Sequence, residues 1–113
     1  MEIITEAISL ARLREMAIRR FGDMVKAVVD VERATMAVDA ELHADEEDAL
    51  LARGSAQANL WGINLYPDLT GEEWIEFDSM INLRPSQGNR SRGVDDPAIR
   101  QRIAEIVSCL VTR

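Results

Sequence analysis

The chain has one cysteine, Cys109, so no disulfide can form within it. No apolar run reaches the ~18 residues that a membrane-spanning helix needs. The opening MEIITEAISL lacks the basic start and apolar stretch of a secretory signal, so the expectation is a cytoplasmic protein that makes no use of a membrane. With 6 glycines and 3 prolines among 113 residues, the composition is neither collagen-like nor that of a disordered chain. Histidine occurs once, lysine once and aromatic residues five times. That excludes multi-histidine metal sites, and neither HExxH nor GxxxxGK[ST] is present.

What is there points to one ordered domain spanning 1–113, a length at which roughly two-thirds of the unfolded surface is buried on folding. The net charge of -7 argues against general nucleic-acid binding, which depends on clustered basic groups that neutralise phosphate. Twelve of the thirteen basic residues are arginine, the better bidentate partner for carboxylate and phosphate.

Ile3 and Ile4 suit a short strand. Ser9 suits an N-cap, with Thr5 as its rival, for a helix over 10–21 that Gly22 stops. Residues 24–31 and 36–43 alternate apolar and polar and predict a hairpin with a four-residue turn over 32–35. That register sets Val29 beside Val38 and Lys26 beside Glu41. Asp45 predicts the N-cap of a short helix closed by Gly54. A second hairpin, 60–66 with 74–84, pairs Tyr66 with Trp74, Ile63 with Phe77 and Trp61 with Ser79. Asp96 and Pro97 then open a last helix with Ile99, Ile103, Ile106 and Leu110 on its buried stripe. The fold expected is α+β, in the order α-β-β-α-β-β-α, with three helices on one face of a four-stranded, largely antiparallel sheet.

On that reading the other sheet face is open. It displays Lys26, Asp39, Glu41, His43, Tyr66, Glu76, Asp78 and Arg84, interrupted by Val28, Trp74 and Met80. Three functional readings follow. The leading one is a small anionic ligand gripped by Arg84, Gln87, Asn89, Arg90, Ser91 and Arg92, with Trp74 and Tyr66 shaping the site. The second is a hydrolase-like enzyme moving protons through Glu41, His43 and Asp78, with Asp39, Glu41 and His43 as a weak alternative metal set. The third is a homodimer formed through Val28, Trp74 and Met80 or through a sheet edge. No cofactor is indicated.

VKAVVDVE, MAVDAELHADEE, WGINLYP and EFDSMINLRPSQGNRSRGVDDP together resemble a family of short prokaryotic proteins catalogued only as a domain of unknown function. The resemblance spans nearly the whole chain. It implies a freestanding intracellular domain with no established activity, and it transfers no catalytic residues.

Overall fold

A computed structural model describes all 113 residues. The sheet is built on β3 (Val25–Asp30), whose Val25, Ala27 and Val29 face one way and Val28 the other, all of them buried. A strand apolar on both faces needs cover on both. It pairs antiparallel with β4 (Thr35–Val38) and with β5 (Leu60–Leu65). The edges are β1 (Glu2–Ile4) and β6 (Ile75–Glu76), giving the order β1-β4-β3-β5-β6 with every pair antiparallel. A separate two-stranded parallel ribbon joins β2 (Ile8–Ser9) to β7 (Val111–Thr112).

Helix α1 (Leu10–Arg20) starts where expected, because the Ser9 hydroxyl accepts the Arg12 amide at 3.1 Å. It stops at Gly22, whose φ of +95° is a conformation that glycine adopts without strain. Helix α3 (Pro97–Leu110) is opened by Asp96, which accepts the Ala98 amide at 2.9 Å. These two helices and the inner sheet face form a core of 21 buried residues, including Leu13, Met16, Trp61, Ile63, Ile103 and Val107.

Three expectations are corrected. The sheet has five strands, because Ile3 and Ile4 do form an edge strand. The helices also do not share one face: α2 (His43–Ala52) packs on the other, where Leu50 meets Val28, Ala37 and Leu60. The open face is therefore covered, and Val28 is 0% exposed. Nor can the dimer surface proposed through Val28, Trp74 and Met80 exist, since Trp74 belongs to the main core and only Met80 is exposed.

The first hairpin pairs Val29 with Met36 and Ala27 with Val38, two residues from the expected register. An even slip leaves every side chain on its face, so the inner and outer assignments survive it. At Asp39 the strand ends, with φ +70°, and the Arg20 guanidinium reaches both its carboxylate at 3.3 Å and its carbonyl at 3.2 Å. That turn removes Glu41 and His43 from the strand.

The second hairpin has the expected register, Asn64 with Glu76 and Leu65 with Ile75, but the ladder stops there. Continued, it would set Asp78 opposite Gly62. Asn82 takes that role instead: its Oδ1 accepts the Gly62 amide at 2.9 Å, and its Nδ2 donates to the Gly62 carbonyl at 3.0 Å. A side-chain amide thus stands in for a strand's peptide group. A Cβ on Gly62 would come within 2.5 Å of the Ser79 Cβ, so the crossing segment requires glycine there. Trp74, expected on an outer-face strand, is helical at the end of a 3-10 turn (φ -67°, ψ -36°) and turns inward.

Candidate functional site

The loop from Arg84 to Arg92 is held together by its own polar groups. The buried Asn89 donates to the carbonyls of Asn82 and Gly93, both at 2.8 Å, and accepts the Asp95 amide at 2.8 Å. Asn82 adds a bond to the Arg92 carbonyl at 2.9 Å. Arg84 donates to the carbonyls of Ile81 at 3.0 Å, Gln57 at 2.8 Å and Leu60, and its guanidinium lies 4.3 Å from the centre of the Trp61 ring. Gln87 accepts from Arg84 and donates to the Ala58 carbonyl at 2.9 Å. The Ser91 hydroxyl and the Arg90 amide both donate to Asp95, which holds that carboxyl below its usual range. Arg92 donates to Asp78 at 2.8 Å. These bonds tie the loop to β5 and to the start of α3, and Arg90 is its one arginine whose guanidinium makes neither an ion pair nor a hydrogen bond.

The residues of the enzyme reading are dispersed. Glu41 is 77% exposed and lies 4.0 Å from Arg20, on the α1 side. His43 opens α2, is buried, and donates from Nε2 to the Ile63 carbonyl at 2.7 Å. Burial is the main reason that its pKa falls below the usual histidine value, with Lys26 adding to this and Asp78 opposing it. No three His, Cys, Asp or Glu side chains converge as a metal site would require: Asp39 and Glu41 both pair with Arg20, while His43 bonds to the Ile63 carbonyl.

A different polar cluster does assemble where α2 meets the sheet. Lys26, Asn64 and Glu76 stand side by side on three adjacent strands, with Tyr66 donating to Glu76 at 3.2 Å. Asn64 donates to Glu76 at 2.8 Å and to the Asp78 carbonyl at 3.3 Å, which leaves its buried Oδ1 without a partner. Glu46, 0% exposed, accepts the Ala40 amide at 3.0 Å through Oε2, while Oε1 has no partner. Burial pushes this carboxyl up to about 9, so it is protonated near neutral pH. His43, Glu46 and Asn64 are each under a tenth exposed, so this end of the cluster is buried beneath α2, while Lys26 and Tyr66 are half-buried and Glu76 is exposed.

The accessible concavity lies on the opposite side, between β6 and α3. One hollow of about 590 Å³ is lined by Glu72, Ile75 and Phe77 from the sheet side and by Arg100, Gln101 and Ala104 from the helix. A second, of about 460 Å³, continues from it past Gly71, Ile75 and Ala104 to Trp74 and Arg113. The Arg100 guanidinium sits 4.6 Å from the centre of the Phe77 ring, and that of Arg113 sits 5.0 Å from the centre of Trp74. The chain's ion pairs join Arg12 to Glu2 and Glu15, Arg14 to Asp68, Arg20 to Asp39 and Glu41, and Arg92 to Asp78. Neither groove arginine is among them. Of the candidate site residues read from the sequence, only Trp74 reaches this groove. Arg100 and Arg113 carried no local signal, because only the fold brings each one over an aromatic ring distant in sequence.

No helix is long and apolar enough to cross a membrane. No curated protein and no solved structure matches the chain. A family model does match, across residues 2–110, and its members have no established activity. With all but four of its residues inside that match, the chain belongs to the family described as Protein of unknown function (DUF5674).

Proposed function

We propose that this domain binds a small anionic ligand in the groove between β6 and α3, with Arg100 and Arg113 supplying the positive charge. The observation that carries this reading is the pair of guanidinium groups stacked on Phe77 and Trp74 beside the largest concavity, with no carboxylate within ion-pairing distance. A stacked guanidinium keeps its in-plane N–H groups free, which is the geometry that recognises carboxylate or phosphate bidentately. Ile75, Ala104 and Val107 offer apolar walls for the body of the ligand, the usual division of labour in a small-molecule site. In the loop from Arg84 to Arg92 only the Arg90 guanidinium makes neither an ion pair nor a hydrogen bond, which makes that loop the second reading. Proton transfer by Glu41, His43 and Asp78 has less support, because Glu41 faces away and His43 is buried.

Thermal unfolding with glutarate or phosphate tests the proposal. A ligand at ten times its Kd adds about 1.4 kcal/mol, which raises the Tm by roughly 5 °C in a domain of this size. The expected result is such a rise in the parent protein and its loss in Arg100→Ala, whose ligand-free Tm stays close to the parent's. Loss of the rise in Arg90→Ala but not in Arg100→Ala would move the site to the loop. No rise with either anion would count against both.

A further inference from the structure

The edge strand β6 forms one wall of the groove. Tyr66 donates its amide to the Trp74 carbonyl at 2.9 Å, which places that pair in the hydrogen-bonded class of the antiparallel ladder. Classes alternate along such a ladder, so the next pair, Leu65 with Ile75, turns the Ile75 N–H and C=O away from β5. Nothing lies beyond β6 in the sheet order, and no backbone bond outside the helices and strands involves Ile75 or Phe77. Both residues line the larger hollow, facing Arg100 across it. An unpaired strand edge, a hollow along it and a free cation on its far wall are what an added peptide strand requires.

We propose that the groove takes an extended polypeptide segment of a partner protein, added to the sheet at Ile75, with an acidic side chain of that segment held by Arg100. This rests on the reading of the groove as an anion site and names the class of ligand. Backbone bonds at Ile75 would set the register. Alternate side chains of the segment would then fall into the hollow, where Phe77 and Ala104 give apolar contact and Arg100 gives charge. A second copy of this chain fits the edge less well: pairing two β6 strands would bring together Glu72, Glu73 and Glu76 from each, on a chain of net charge -7. A peptide with one carboxylate adds a single negative charge, opposite Arg100.

The test titrates the full chain with a pool of labelled hexapeptides that carry one glutamate and apolar residues at every second position. Expected results are saturable binding, a loss of roughly fivefold when glutamine replaces the peptide glutamate, and a matching loss in Arg100→Ala. Methylating the peptide backbone nitrogens one at a time should abolish binding at alternate positions only, the signature of strand addition. Equal tolerance of methylation at every position would overturn the proposal. Stabilisation by glutarate with no peptide binding would overturn it too, leaving the anion site intact, whereas failure of both probes would remove both readings. Concentration-dependent dimerisation lost in Ile75→Pro, without peptide binding, would assign the edge to a second copy instead.

Discussion

Asn82→Ala should unfold much of this protein's stability margin, with an expected loss on the order of 3 to 5 kcal/mol in denaturant unfolding. Asn82 is 0% exposed and satisfies three backbone groups: the Gly62 amide, the Gly62 carbonyl and the Arg92 carbonyl. Alanine leaves the Gly62 amide and carbonyl buried without partners, each costing about 1 to 3 kcal/mol when stranded, while the Arg92 carbonyl loses one of its two bonds and keeps the Ser79 amide at 2.9 Å. Aspartate is a sharper control, because it keeps an acceptor for the Gly62 amide but turns an oxygen toward two carbonyls. Both variants should be severely destabilised. Losses below about 1 kcal/mol in both would mean that Asn82 does not replace the missing strand.

The second large effect depends on pH. Glu46 holds its proton up to about pH 9 in the folded chain, whereas in the unfolded chain it ionises near the ordinary glutamate value of 4.5. Below that value both states are protonated and burial of the group carries no ionic penalty. As the pH rises, the unfolded state ionises first and gains stability relative to the fold. Stability is therefore lost progressively from about pH 4.5 and the loss is complete above about pH 9. Glu46→Gln removes this dependence while keeping an oxygen for the Ala40 amide. Relative to the parent, the variant should gain on the order of 3 to 4 kcal/mol between pH 5 and pH 8. His43, whose depressed pKa makes the fold lose stability as the pH falls, is present in both proteins and cancels in the difference. Parallel pH profiles would show that Glu46 is already ionised in the fold.

Local chemistry made parts of this fold legible in the sequence. Ser9 before an apolar stripe, Gly22 after it, and Asp96-Pro97 each act within a turn of their own position, and each does what its type predicts. The alternation in β3 and the pairing of Asn64 with Glu76 were legible for the same reason. What misled was the end of each hairpin. Strand β4 stops because Asp39 takes a left-handed turn clasped by Arg20, and β6 stops because the chain crosses over Gly62 and Asn82 takes over its hydrogen bonds. Both events depend on partners distant in sequence.

The placement of α2 was misread despite a usable signal. Val28, Ala37 and Leu60 give the outer face an apolar centre, which a solvated face would not have. His43 and Glu46 mask the matching face of the helix, since two of its three buried side chains are ionisable. The candidate site was hidden for a further reason. The conspicuous arginine cluster in the sequence, Arg84 to Arg92, is engaged mostly with backbone carbonyls and with Asp78, while the groove draws its cations from Arg100 and Arg113. Clustering in sequence did not report which guanidinium groups the fold leaves free.

The most direct test of the groove is an amide chemical-shift titration of the intact protein with glutarate. Saturable shifts should centre on Ile75, Phe77, Arg100 and Ala104, fade in Arg100→Ala, and leave the amides of Gly88 to Arg92 unmoved. Shifts centred on Gly88 to Arg92 and insensitive to Arg100→Ala would contradict the account, as would saturating glutarate that moves no amide of the groove.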